Sequence, residues 1–271
     1  MPNLKPPITT TAAAMAYCQS ILKALPEYSD FTPLMTLYLT DTTSPNEIKL
    51  ARDSGVVFVV KLYPAGATTN SQDGVTDLFG KCLPVLEEMV QQIMPLLVHG
   101  EVTIPDVDMF DREEVFIDTV LSPLVQKIPQ LKVIMEHITT MDAVNFVESC
   151  DKGFVAPTVT PQHLILNRNS LFQGGLQPHN YCLLVLKREI HRRTIVSAVT
   201  SGSKRFFLEL IALLMIEEKR SVLVDVLEST TRMWPCQCML RFLKRPDLEK
   251  LEALRASMDQ TSMAFLEIHQ R

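Results

Sequence analysis

A chain of 271 residues that is 46% hydrophobic can bury one large core, and α/β barrels of this length commonly form as a single domain. The formal charge of −5, with Lys and Arg scattered rather than clustered, supplies no basic field for a polyphosphate backbone, so a nucleic-acid partner is not expected. Six cysteines without paired spacing, no apolar run near ~18 residues and a polar start at Met1-Pro2-Asn3-Leu4-Lys5 argue against a disulfide scaffold, a membrane span and a targeting leader.

In chain order, Ala12, Ala13, Ala14, Met15, Ile21 and Leu22 predict a helix from Thr10 to Leu25, stopped by Pro26. Leu34 to Leu39 reads as a buried strand, and Glu47 to Asp53 as a short helix closed by Gly55. A strand ending at Lys61 follows, then a helix from Asp77 to Ile93, a strand from Pro95 to His99 and an amphipathic helix from Glu113 to Ile128. Val133 to His137 is the next strand, and Thr140 to Cys150 the next helix. Val155 to Thr160 contains Pro157, which removes a ladder donor and predicts a weak or edge-like strand. Gly174, Gly175 and Pro178 make 161–181 a long loop, of the kind that in a barrel carries function. Glu189 to Ser201 is helical and leads to a short strand, Phe206 to Leu208, after which the βα rhythm stops.

Three of these strands close on Lys61, His99 and His137, each 38 residues after the last. That period fits one strand, one helix and two loops, so the three runs are expected as parallel neighbours with these residues at their carboxyl ends, where such sheets keep their chemistry. Taken singly, Lys61 reads first as a strand-end lysine reaching water, and second as an amine that captures carbon dioxide and bridges two metal ions as a carbamate. His99 and His137 read singly as histidines bonded to carbonyls; together with Lys61 they point to a Zn²⁺ site. His163, His179, His191 and His269 lack that placement and are read as structural or surface residues. Ala65 to Ser71 is either a simple turn or a flexible flap whose Thr68 and Thr69 hydroxyls contact a bound carboxylate or carbonyl. The Cys236-x-Cys238 pair lacks a second pair and is a weak metal signal.

The runs Met1-Pro2-Asn3-Leu4, Lys61-Leu62-Tyr63-Pro64-Ala65, Ala67-Thr68-Thr69-Asn70-Ser71, Leu97-Val98-His99-Gly100-Glu101, Glu136-His137-Ile138-Thr139-Thr140, Thr160-Pro161-Gln162-His163 and Gly174-Gly175-Leu176-Gln177-Pro178-His179-Asn180-Tyr181-Cys182-Leu183 resemble the single-domain dihydroorotases of bacteria and plants. The resemblance spans 1–208 and implies a (β/α)₈ barrel of the metal-dependent amidohydrolase type. It further implies reversible interconversion of L-dihydroorotate and N-carbamoyl-L-aspartate, in pyrimidine synthesis, with two zinc ions activating a hydroxide against the cyclic amide. By motif, Lys61 is the carbamylated bridge, His99 and His137 hold one zinc, Asn3 binds the substrate carboxylate, Thr68 and Thr69 sit on the flap, and Leu183 offers backbone bonds to the ring. Leu184 departs from the family, which usually has proline there. A family-like homodimer is the implied assembly, and the small-molecule substrate the implied partner. The text from Lys187 to His191 looks plant-like, implying a mitochondrion or plastid; the bacterial alternative is cytoplasmic.

Two larger departures shape the expectation. The family's first strand, with His-x-His, would lie before Met1, so the barrel is expected to be incomplete, with at most one zinc well liganded. Where the family reads Phe-Leu-Gly-Thr-Asp-Ser-Ala-Pro-His, with the aspartate as zinc ligand and general base, this chain reads Phe207-Leu208-Glu209-Leu210-Ile211-Ala212-Leu213-Leu214-Met215. The two texts are one nucleotide out of step, and the same shift over 221–231 and 258–266 recovers further family text. Residues 209–271 are therefore expected as an out-of-frame tail, with no catalytic base, no selected role for Cys236 and Cys238, and no dihydroorotase turnover. The competing expectation is a non-catalytic barrel that binds a pyrimidine precursor or an intact homologue.

Overall fold

The computed structural model describes residues 2–25, 27, 31–150 and 153–209. The chain divides into two compact units: Met1–Glu136 with Phe146–Ala156, and His137–Asn145 with Pro157–Arg271.

The first unit is built on β1 (Met35–Leu39), β2 (Val57–Leu62), β3 (Leu96–His99) and β4 (Val133–Glu136), each pairing in parallel with the next in chain order. The register sets Tyr38 opposite Lys61, Lys61 opposite Leu97, and His99 opposite Glu136. Leu37, Leu39, Val60, Leu96 and Met135 are buried, giving the nearly unbroken apolar strands of a sheet covered on both faces. Helices α1 (Thr11–Ala24), α2 (Pro45–Asp53) and α3 (Leu83–Gln91) alternate with these strands. Ile48, Leu86 and Met89 are fully buried, each stabilising the unit by about 2 kcal/mol.

Local chemistry moved several helix ends from their predicted places. Thr10 caps α1, its side chain accepting from the Ala13 amide at 3.2 Å. Helix α2 begins two residues early because Ser44 accepts from the Glu47 amide and Pro45 suits the first turn; Gly55, at φ 65°, closes it. Helix α3 is much shorter than 77–93. The Asp77 carboxylate accepts from the Gly80 amide at 2.8 Å and folds 77–82 into turns. The predicted 113–128 helix is three pieces: α4 (Arg112–Phe116), a π-helical turn (Ile117–Leu121) and α5 (Ser122–Lys127). Pro123 lacks the N–H that would bond the Thr119 carbonyl, and the ladder widens just before it.

In the second unit, β5 (Val155–Val159) contributes Thr158 and Val159, which pair in parallel with β6 (Phe207–Leu208). On its other side the Thr158 carbonyl accepts from the Ile138 amide at 3.0 Å, so β5 is flanked on both sides and is not an edge. Pro157 is tolerated because its missing donor points the same way as Val159, toward β6, which begins only opposite Thr158. The predicted loop over 161–181 is not structureless. The helix expected from Thr140 to Cys150 is α6 (Met141–Ser149), and 161–181 holds α7 (Pro161–Ile165) and two 3₁₀ turns, Arg168–Leu171 and Pro178–Asn180. Pro161 and Pro178, each in a first helical turn, start what a reading of proline as a breaker treats as loop. Helix α8 (Glu189–Val199) follows; Glu189 bonds Arg192, Asn167 and Arg193, and the Arg192 bond leads in pulling its carboxyl down to about 2. Among the described residues no helix is long and apolar enough to cross a membrane. Cys236, Cys238, His269 and the expected out-of-frame text from Leu210 onward lie outside the described residues.

Candidate active site

Lys61 is not a lysine reaching water. It lies on β2, is 2% exposed, and its ammonium donates to Glu136 Oε2 at the end of β4 while standing 4.9 Å over the Tyr63 ring. A buried ammonium is costly unless paired, and Glu136 meets that need in the uncarboxylated state.

His99 ends β3 and is also 2% exposed. Its Nε2–H donates to Glu101 Oε1 at 2.6 Å, which places the ring's lone pair on Nδ1. Burial lowers its pKa, so the ring is neutral at physiological pH, the form that ligates metals. A Cβ at Gly100, between the two partners, would come to 3.0 Å from Met135 Cε, so the tip of that side chain would have to give way.

His137 belongs to the second unit, one residue past β4. Its φ of 44° is left-handed, a conformation that costs on the order of 1 kcal/mol for a residue with a side chain. The Thr158 hydroxyl accepts from its amide at 2.8 Å, and the Ile138 bond to the Thr158 carbonyl secures the next residue. The chain thus turns sharply off the strand at the histidine.

The segment after β2 is a tightly bonded loop in this structure rather than a bare turn. Ser71, fully buried, accepts from the Thr68 amide at 2.8 Å and donates to the Thr68 carbonyl at 2.6 Å. Pro64 and Val75 bridge its base. Thr68 is half-buried and Thr69 exposed, and their hydroxyls make no hydrogen bond among the described residues. Asn3, buried, donates from Nδ2 to the Thr69 carbonyl at 2.9 Å, and its own carbonyl accepts from Asn70 at 3.2 Å. Tyr63 donates its hydroxyl to Asn3 Oδ1 at 3.2 Å.

In the second unit Leu183 precedes the buried Leu184, to which it is joined by a cis peptide. The Leu184 carbonyl accepts from His163 Nε2 at 3.1 Å, and His163 Nδ1 faces the Thr160 hydroxyl at 2.6 Å. His163 is therefore structural, as is His191, whose Nδ1 accepts from the Met141 amide.

Sequence reasoning assigned Lys61, His99, His137, Asn3, Thr68, Thr69 and Leu183 to one site; of these Lys61, His99, Asn3, Thr68 and Thr69 lie in the first unit and His137 and Leu183 in the second, and sequence reasoning missed the side chains that hold the first group: Glu136, Glu101, Tyr63 and Ser71. The placement of Glu101 two residues after His99 was a usable signal, since histidine ligands commonly bond a carboxylate through their other ring nitrogen; nothing local pointed from Glu136 to Lys61. Among the described residues no three His, Cys, Asp or Glu side chains gather to hold a metal ion, and a carboxylated lysine is a donor outside that set. A cavity of about 490 Å³ opens beside this group in the first unit, walled by Leu62, Phe79, Val102, Ile104 and Phe116, with Glu101 at its edge.

No family model matches the chain. It is 78% identical over 208 residues to the mitochondrial dihydroorotase of Arabidopsis thaliana, covering 77% of this chain and 55% of that protein. It is 77% identical over 208 residues to the mitochondrial dihydroorotase of Oryza sativa subsp. japonica, covering 51% of it, and 61% identical over 208 residues to the dihydroorotase of Nitrosococcus oceani, covering 60% of it. The chain thus spans little more than half the length of these relatives. The matched length equals that of the 1–208 segment marked out by its motifs. Among solved structures, the Campylobacter jejuni dihydroorotase superposes with a TM-score of 0.74 at 28% identity, covering 96% of this chain and 74% of that one. The Saccharomyces cerevisiae dihydroorotase, solved with 5-fluoroorotic acid, superposes with a TM-score of 0.72 at 27% identity, covering 93% and 75%. The α/β class is borne out, and the fold is that of the amidohydrolase (β/α)₈ barrel, of which the described residues supply six strands.

Proposed function

From the premise that 208 residues of this chain are homologous to the dihydroorotases of the amidohydrolase superfamily, we propose that they carry the zinc- and substrate-binding framework of that enzyme, acting on L-dihydroorotate and N-carbamoyl-L-aspartate. The observation that carries the proposal is the pair Lys61 and His99, both 2% exposed, on adjacent parallel strands and each held by a glutamate. The donor chemistry fits zinc: a neutral, oriented imidazole at His99, and at Lys61 a buried amine whose carbamate would be an oxygen donor. By motif His137 is the third ligand. Zinc when bound supplies Lewis acidity toward the cyclic amide carbonyl and a water made acidic enough to attack it.

The chain's own residues do the rest. Glu101 accepts from Nε2–H and holds the His99 ring in the tautomer whose lone pair is on Nδ1, the nitrogen that would ligate zinc. Asn3 turns an amide toward the substrate carboxylate, Thr68 and Thr69 offer hydroxyls on the loop that shields the site from water, and Leu183 offers its backbone to the ring. A general base is missing from the sequence, because Glu209-Leu210-Ile211 stands where the family reads Gly-Thr-Asp. Binding survives that change and turnover does not. The plant relatives' names support a mitochondrial address for the protein, and the family's homodimer is its expected assembly.

The test is metal analysis of the purified full chain. Zinc is retained by the wild type and is lost by Lys61→Ala and His99→Ala variants whose far-ultraviolet spectra are unchanged. Equal zinc in all three, or none in the wild type, overturns the site. No dihydroorotase turnover is expected; turnover that vanishes in Lys61→Ala would overturn the assignment of a lost base.

A further inference from the structure

Four contacts meet on the Tyr63 side chain, and they join the two halves of the candidate site. Its ring lies under the Lys61 ammonium at 4.9 Å and against the His99 ring at 5.8 Å between centroids, tilted by 39°. Tyr38 braces it edge-on at 5.4 Å with an interplanar angle of 86°, so the ring cannot slide away from the strand ends. Its hydroxyl donates to Asn3 Oδ1, and Asn3 in turn holds the loop at two points, the Thr69 carbonyl and the Asn70 side chain.

We infer that Tyr63 is a positioning residue with two separable functions: its ring sets the placement of Lys61 and His99, and its hydroxyl, through Asn3, latches the 64–75 loop. The geometry gives the latch a direct link to ligand binding. The same Asn3 amide that grips the Thr69 carbonyl is the one assigned to the substrate carboxylate, so a carboxylate arriving at Asn3 competes for, or completes, the bonding that closes the loop. Fixing the Asn3 oxygen by the tyrosine hydroxyl leaves the amide nitrogen as the face presented to loop and ligand. The ring function rests on the reading of Lys61 and His99 as metal ligands; the latch function does not.

The full chain is compared with Tyr63→Phe and Tyr63→Leu by amide hydrogen exchange, followed by mass spectrometry, and by titration with zinc alone. Removing only the hydroxyl is expected to speed exchange across 64–75 by roughly fivefold, the effect of one lost hydrogen bond, while exchange in β3 and zinc affinity stay at wild-type values. Removing the ring as well is expected to give the same loop acceleration and to weaken zinc binding by about tenfold. An unchanged loop in Tyr63→Phe overturns the latch, and acceleration throughout the first unit reduces it to general stability. Wild-type zinc affinity in Tyr63→Leu overturns the ring function. Failure of the wild type to take up zinc sinks the metal reading and the ring function together, while the exchange comparison still decides the latch.

Discussion

His163 makes the stability of this chain depend on pH in a window set by its burial. The ring is 5% exposed, donates from Nε2 to the Leu184 carbonyl and accepts at Nδ1 from the Thr160 hydroxyl, so the neutral form has both nitrogens satisfied. Burial foremost, opposed by the Leu184 bond and aided by the nearby Lys187 charge, brings its pKa from 6.5 down to about 4. The unfolded chain therefore takes up the proton first as pH falls. The stability contributed by the neutral ring is complete above about pH 6.5 and is lost progressively until about pH 4, below which both states are protonated. At about 1.4 kcal/mol per pH unit the full effect is roughly 3 kcal/mol, a large share of a typical domain's stability. Urea unfolding followed by circular dichroism between about pH 7 and pH 4.5 should show the midpoint falling steeply in the wild type and more gently in His163→Gln. Parallel profiles for the two proteins would refute the reasoning.

Three further outcomes follow from the geometry. Gly74→Ala places a Cβ inside 3.0 Å of the Tyr63 and Ser71 carbonyls, and is expected to cost about 2 kcal/mol in urea unfolding; a neutral substitution would mean that the loop base is looser than its contacts imply. Glu101→Ala is expected to lower zinc affinity between about tenfold and a hundredfold with the fold intact, measured by competition with a chromophoric chelator, and undiminished affinity would remove Glu101 from the site. Thr10→Ala removes the α1 cap and should cost about 1 kcal/mol, with no change in zinc content.

Much of the α/β alternation was legible because parallel strands covered on both faces need continuous apolar runs, and such runs as Val56 to Val60 stand out against polar loops. The helix ends were less legible. Asp77, Pro123 and Pro161 act through single hydrogen bonds made or withheld, and apolar periodicity is blind to those. Pro157 misled for a related reason: whether a missing donor matters depends on what lies opposite, and only the strand register supplies that.

The even spacing of Lys61, His99 and His137 was enough, by itself, to put these three residues at or within one residue of strand ends, because strand, helix and loop lengths are bounded by geometry. The departure of the text after Leu208 from the resembled Gly-Thr-Asp run was equally a matter of sequence. Sequence could not say whether Lys61 meets water or a carboxylate, which nitrogen of His99 faces Glu101, or that one tyrosine touches both and the loop besides. Those depend on distances between residues tens of positions apart, which no local pattern encodes and which only the closing of the chain on itself determines.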